Sequence, residues 1–199
     1  YKAWLVDAAS VEAGNVDFPF AISILVPVYN PPIDFLHECL QSVLKQSARN
    51  WQLIVVNDGS TKPEIAPWLE QFASEHEGDQ CIKVSTKPNG GISSALNAAL
   101  AEATGEYMGM LDHDDALDPR CVETFSKVVE ANGHPDAVYS DEDKINPRGE
   151  HFELYCKPDF SPELLLTQMY LCHFTVFKRE QMQGIGGLRT DMDGAQDFD

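Results

Sequence analysis

The amino-acid sequence predicts an α/β fold with a mostly parallel sheet flanked by helices. Three observations point there. Short, continuously apolar runs rich in β-branched residues recur along the chain, stretches with apolar residues at helical spacing lie between them, and polar or glycine-bearing turns close the runs. Strands of a parallel sheet are buried on both faces, so they read as unbroken apolar runs rather than as alternation. Strand–helix repetition is the pattern that builds such a sheet.

The elements follow in order. Residues 1–20 carry weak patterning and read as a leading segment before a domain spanning 21–199. Ile22-Ser23-Ile24-Leu25-Val26 is a strand ended by Pro27, and Ile33, Leu36, Leu40, Val43 and Leu44 mark a helix. Leu53-Ile54-Val55-Val56 is a second strand, stopped by Asn57-Asp58-Gly59-Ser60. Thr61 and Glu64 have capping-box spacing, with Pro63 in the first turn of the next helix. Cys81-Ile82-Lys83-Val84 is a third strand. Asn89-Gly90-Gly91 then opens an Ala-rich helix to about Ala103. Tyr107 to Leu111 is a fourth strand, Asp118-Pro119 starts a helix, and Ala137-Val138-Tyr139 is a fifth strand. Ser161-Pro162-Glu163 starts another helix, and Phe174-Thr175-Val176-Phe177 reads as a further strand.

Composition narrows the function. The chain has 199 residues, 43% hydrophobic and 23% charged, which suits one globular domain rather than a disordered segment. Its 14 basic and 32 acidic residues leave a formal net charge of −18. No basic run exists to neutralise a phosphate backbone, so nucleic acid is excluded as a partner. Cys39, Cys81, Cys121, Cys156 and Cys172 are odd in number and widely spaced, which predicts reduced, mostly buried thiols in a cytoplasmic protein. No apolar stretch is long enough to span a membrane. A start at Tyr1 and an end at Asp199 without terminating character suggest a piece of a longer chain, with any peripheral membrane association carried by the missing regions.

The chemistry concentrates at strand ends, where ligands of open α/β sheets bind. Asp112-His113-Asp114-Asp115 is the strongest signal. Clustered carboxylates repel and resist burial unless they find a partner, and a divalent cation is one solution. If the backbone stays extended, Asp112 and Asp114 point to one side and supply oxygen donors suited to Mn²⁺ or Mg²⁺. His113 then faces away, toward packing or a hydrogen bond. Pro27-Val28-Tyr29-Asn30, Asp58 and Asn89-Gly90-Gly91 fall at the ends of the other strands. Together these segments line one rim and suggest a nucleotide carrying a diphosphate. Asp58 can accept from the imide N–H of a uracil or thymine ring, and Asp58-Gly59 equally suits a simple turn. No G-x-G-x-x-G follows the first strand and no P-loop lysine is present, so NAD-type and ATPase readings find little support.

The segments VPVYN, VVNDGS, NGGISSALNAAL, MLDHDD, YSDEDKI, KPDFSPELLL and GAQDFD, in this order, resemble glycosyltransferase family 2, the inverting enzymes of GT-A fold. The resemblance runs from Ala21 to Asp199 and is nearest to members that build bacterial surface polysaccharides such as O-antigen. It implies that Pro27 to Asn30 and Asp58 contact the nucleoside. It also implies that Asp112, His113 and Asp114 form the D-x-D motif, that Asp114 binds the metal, and that Asp197 is the catalytic base. The implied partners are a UDP- or dTDP-sugar donor and a glycan or lipid-linked acceptor, with the reaction in the cytoplasm or at the cytoplasmic face of the inner membrane. Two departures stand out: Leu96 where many relatives carry Arg, and Gln196 where Glu is frequent.

Other residues read both ways. Asp141, Glu142 and Asp143 either position an acceptor sugar or form a solvated acidic loop. His173 reads first as structural. Trp4, Trp51 and Trp68 read as core or boundary aromatics. A nucleotide-sugar-binding or scaffolding module without turnover fits the same motifs. A nucleotidyltransferase fits less well, because it would carry a basic glycine-rich loop near the start.

Overall fold

The run Ile22–Val28 forms the central strand β1, every residue of it buried. In the computed structural model, which describes residues 21–195 and Asp197, it lies in a six-stranded sheet. The leading segment 1–20, with Trp4, and Gln196 lie outside the described residues. The sheet is built from β1, β2 (Trp51–Asn57), β3 (Ile82–Thr86), β4 (Tyr107–Met110), β5 (Ala137–Tyr139) and β8 (Thr175–Lys178), in the order β3-β2-β1-β4-β8-β5. The first four strands are mutually parallel, while β8 runs antiparallel to both β4 and β5. The expected parallel sheet is therefore present with one inverted strand, Thr175–Lys178.

Helices cover both faces, as continuous apolar strands require. Side chains of Ile22, Ile24, Val26 and Val28 pack with α1 (Ile33–Leu44), α2 (Ile65–Glu75) and α4 (Cys121–Ala131). On the other face Leu25, Ile54, Val56 and Met108 meet α3 (Ile92–Glu102) and Leu188. Leu96 belongs to this second core. Its side chain is packed among apolar neighbours, so this departure from the expected motif lies at a core position. Trp51 is buried in β2, and Trp68 is a boundary residue stacked on Phe72 at 5.7 Å.

Several local expectations shift. Pro27 lies within β1 rather than ending it, opposite Val56 of β2. Ile22 N and Val28 O bond toward the β2 side, so the nitrogen of Pro27 faces the β4 side, where pairing has already stopped at Leu25. The missing N–H breaks no ladder bond there. The capping box does not form: α2 begins at Ile65 without a side-chain cap, and Thr61 bonds to Asn30 instead. Asp118-Pro119 makes a turn ahead of α4, with Asp118 accepting from the amide of Arg120. Ser161 does cap α5 (Pro162–Leu165), accepting from the Leu164 amide with Pro162 in the first turn. The thiols are free, but only Cys39 is buried and Cys81 and Cys156 are exposed, which corrects the expected mostly buried set. Asp141 to Lys144 is not a plain loop: β6 (Glu142–Ile145) and β7 (His151–Tyr155) form a separate antiparallel hairpin. The chain continues through β8, α6 (Arg179–Gly184) and a 3₁₀ turn at Thr190–Met192. No described helix is long and apolar enough to cross a membrane.

Candidate functional site

The strand order places helical connections on opposite sides of β1, which opens a crevice at the carboxyl ends of β1 and β4. Pairing between these strands ends at Leu25 and Met110, with a last bond from Leu111 N to Leu25 O at 3.0 Å, while β1 continues to Val28. The Pro27 carbonyl is left facing the gap, and His113 Nδ1 meets it at 3.3 Å. A carbonyl only accepts, so Nδ1 carries the proton. His113 is thus held by a backbone bond, although the extended geometry on which that expectation rested is not kept.

The acidic segment does not stay extended. Asp112 to Asp115 closes a turn, with the Asp115 amide donating to Asp112 O at 3.1 Å. Its shape is imposed by α1. Cys39 Sγ donates to Asp112 O at 3.4 Å, Ser42 Oγ accepts from Leu117 N at 3.0 Å, and Gln46 bonds to both Asp118 O at 2.7 Å and Val122 N at 2.9 Å. Cys39 and Ser42 sit three residues apart on α1, and Gln46 follows just beyond its C-terminal end. The turn cancels strand alternation. Asp115, rather than Asp114, comes beside Asp112, and Asp114 lies exposed.

His173 completes the cluster. One ligand atom each from Asp112, Asp115 and His173 lies within 4.8 Å of the others, and His173 Nε2 stands 3.2 Å from Asp112 Oδ2. The hydrogen bond to Asp112 pushes the imidazole up to about 9 against the opposing effect of burial. The same bond lowers the Asp112 carboxyl. Burial raises Asp115, with Asp112 and Asp114 adding to the shift and His173 opposing it. Partial desolvation raises Asp197, with His173 pulling it down and Asp112 pushing it up, which brings this carboxylate into the field of the same cluster. Two carboxylates and an imidazole suit a borderline ion such as Mn²⁺, and carboxylates alone suit Mg²⁺.

A second part of the rim joins β2 to α3. Asp58, with only 4% of its side chain exposed, accepts from Lys87 Nζ at 2.6 Å, from Gly90 N at 3.1 and 3.2 Å, and from Gly91 N at 2.8 Å. Asn89 Nδ2 donates to Asp58 O at 3.0 Å. Gly59 makes this closeness possible, because a Cβ there would stand 2.7 Å from Asn89 N. Asp58, Asn89 and Gly90 are therefore brought together as expected, though the Asp58 carboxylate is engaged by the chain itself. Asn30 (φ 53) receives the amides of Thr61 and Lys62 on Oδ1 and donates from Nδ2 to Thr61 Oγ1. This clasp joins the end of β1 to the loop after β2 and leaves the neighbouring Tyr29 48% exposed at the rim.

The comparisons decide the family. The sequence profile of glycosyl transferase family 2 matches residues 23–186. The chain belongs to glycosyl transferase family 2. It is 32% identical over 206 residues to the O-antigen biosynthesis protein RfbC of Myxococcus xanthus, covering all of this chain and 16% of that protein. The chain thus spans a small part of the curated relatives it matches. Among solved structures, Staphylococcus aureus TarS 1–349 in complex with UDP superposes with a TM-score of 0.70 at 22% identity, covering 89% of this chain and 53% of that one. The mannosyltransferase PcManGT of Pyrobaculum calidifontis, in complex with GDP-Man and Mn²⁺, superposes at 0.63 with 23% identity, covering 100% and 56%. The GT-A fold expected from the motifs is the fold observed.

In this family 2 domain the acidic residues after β5 already have partners. Asp141 Oδ1 accepts from Lys157 N at 2.8 Å, Glu142 Oε2 lies 2.9 Å from Lys157 Nζ, and Asp143 Oδ2 lies 3.0 Å from His151 Nδ1. Asp115, Lys157, Ser42 and Gln46 carry no separate signal in the sequence, and His173 reads first as structural.

Proposed function

We propose that this domain is a metal-dependent inverting glycosyltransferase. It moves a sugar from a nucleotide-diphosphate donor, a UDP- or dTDP-sugar, to a glycan or lipid-linked acceptor in bacterial surface polysaccharide synthesis, on the cytoplasmic side. The observation that carries this reading is the convergence of Asp112, Asp115 and His173 at the carboxyl end of β4, beside the gap between β1 and β4. The binding of UDP by TarS and of GDP-Man with Mn²⁺ by PcManGT supports it by analogy of fold.

Asp112 and Asp114 are the proposed metal ligands, with Asp115 and His173 beside Asp112 to complete the donor set. When bound, a divalent ion supplies positive charge against the departing diphosphate. The chain's own groups do the rest. The exposed Tyr29 ring offers a face to the base, and Pro27, Val28 and Asn30 set the wall around it. Asp58 either reads the base or, through its bonds to Gly90 and Gly91, holds the loop with Asn89 that closes the nucleoside side. His113, fixed on the Pro27 carbonyl, keeps the D-x-D turn against β1. Asp197 takes the proton of the acceptor hydroxyl as its oxygen bonds to the anomeric carbon and the bond to the diphosphate breaks. Attack from the face opposite the leaving group inverts that carbon. A carboxyl raised by desolvation is a better base than an ordinary one, and such catalysis contributes on the order of 10²–10⁴-fold. Asp141, Glu142 and Asp143 border the acceptor side through the hairpin.

The test is transfer or donor hydrolysis by the full-length protein with a panel of UDP- and dTDP-sugars, with and without Mn²⁺. Asp114→Ala and Asp197→Asn are expected to lower kcat by about 100-fold or more. Turnover that persists without divalent ions rejects the metal mechanism, and turnover that persists in Asp114→Ala removes Asp114 from the ligand set. Donor binding without turnover assigns a scaffolding role instead.

A further inference from the structure

Lys157 is a buried cation with an uncommon set of partners. Its side chain is 1% exposed, and Nζ lies 2.9 Å from Glu142 Oε2, 2.5 Å from Leu171 O and 2.7 Å from His173 O. An ammonium has three protons to donate, and each has an acceptor here. At this exposure it cannot touch a substrate. A lysine buried this deeply destabilises the fold unless its partners compensate, so its position calls for a reason.

The reason lies in the backbone it gathers. Carbonyls of Leu171 and His173 converge on one point across Cys172, which adopts the left-handed region at φ 33. Thr175 Oγ1 supports the same bend, donating to Cys172 O at 2.8 Å. With its carbonyl anchored on Lys157, His173 presents its ring to Asp112. The far side of the ammonium is tied to β6 through Glu142, and the Lys157 amide to Asp141. One buried charge therefore links the hairpin to the ring that faces the acidic turn.

We propose that Lys157 is a positioning residue that holds His173 in its ion-binding orientation and couples it to the β6–β7 hairpin through Glu142. This rests on the ion-binding reading above. Groups behind a metal ligand commonly change metal affinity by about 10–100-fold when removed.

The experiment measures Mn²⁺ binding by electron paramagnetic resonance on the full-length protein, alongside metal-free UDP binding by calorimetry and circular dichroism. In Lys157→Met, Mn²⁺ affinity is expected to fall by about tenfold or more while metal-free UDP binding stays within about twofold; Lys157→Arg is expected to recover part of the loss. Glu142→Gln, which removes the charge of one half-exposed partner and leaves the lysine in place, is expected to fold and to lose about threefold. Equal loss of UDP and Mn²⁺ binding would reduce Lys157 to a general structural role. Unchanged Mn²⁺ affinity in folded Lys157→Met or in Glu142→Gln overturns the assignment. Parent protein that takes up no Mn²⁺ sinks the ion reading itself, so the two failures are told apart.

Discussion

Gly109 in β4 and Phe174 at the edge of β8 interlock: a Cβ on Gly109 would stand 2.3 Å from Phe174 Cζ. Phe174 is buried and meets Phe125 of α4 edge-on at 5.5 Å, so its ring has no room to retreat. The residue before it is His173. The absence of a side chain at Gly109 thereby helps seat the histidine of the cluster. Gly109→Ala is expected to lower stability by about 1–3 kcal/mol through overpacking. Urea denaturation checks this, and an unchanged midpoint would show that β4 and β8 can part freely.

The His173–Asp112 pair predicts proton release on metal binding. The imidazole lies near 9 in the folded chain against an ordinary 6.5, chiefly because of its bond to Asp112. Its contribution to stability is fully present below 6.5 and is lost as pH rises through about 9. The Asp112 carboxyl is lowered, so its contribution is present above 3.8 and lost in acid. A metal requires the neutral imidazole, so near neutral pH that proton must leave. Mn²⁺ affinity should rise with pH up to about 9, by about tenfold per unit for one displaced proton. Calorimetry in two buffers of different ionisation enthalpy measures the released proton directly. Binding heats that do not depend on the buffer would remove His173 from the ligand set.

The sequence shows the sheet better than it shows the site. Continuous runs such as Ile22–Val28 and Trp51–Asn57 announce buried strands because burial on both faces leaves no alternation to misread. The hairpin of β6 and β7 was invisible for the opposite reason. Many of its residues, such as Lys144 and Glu153, are exposed and charged, and turn-forming Asn146-Pro147 separates two short strands that are buried on neither face. The acidic turn was legible as chemistry but not as geometry. Whether Asp114 or Asp115 stands beside Asp112 depends on Cys39, Ser42 and Gln46, some seventy residues earlier in the chain. His173 carries no local signal at all, because its approach to Asp112 is set by the pairing of β8 with β4.

Gln46 offers a direct test of that long-range control. It is 1% exposed and bridges Ser42 O, Asp118 O and Val122 N. Gln46→Leu keeps the bulk but removes every one of these bonds, leaving buried backbone groups unsatisfied at about 1–3 kcal/mol each. The acidic turn should loosen, seen as faster amide hydrogen exchange at Asp115 and Leu117 than at Val55 in the sheet. Uniform acceleration across both regions would mean only that the fold is weaker, and would deny Gln46 its local role.

The segment that carries Asp197 is fastened to α3 at two points, which predicts a specific kinetic signature. Asn97 bonds to Leu188 in both directions, donating from Nδ2 to Leu188 O at 2.8 Å and accepting the Leu188 amide at 2.9 Å. Further along, Asp193 Oδ1 accepts from the Ser93 amide at 3.0 Å and so caps the first turn of α3. Gly91 leaves the space for it, since a Cβ there would meet Asp193 Oδ2 at 1.7 Å. The fastening holds the chain four residues before Asp197. Asp193→Ala is expected to lower stability by about 0.5–2 kcal/mol, the range for a lost helix cap. In steady-state assays it should lower kcat by about tenfold with donor KM nearly unchanged, because displacing the proposed base Asp197 affects the chemical step rather than donor binding. Asn97→Ala should show the same split. A rise in donor KM at constant kcat would instead assign this segment to the donor pocket and leave the base to be sought elsewhere.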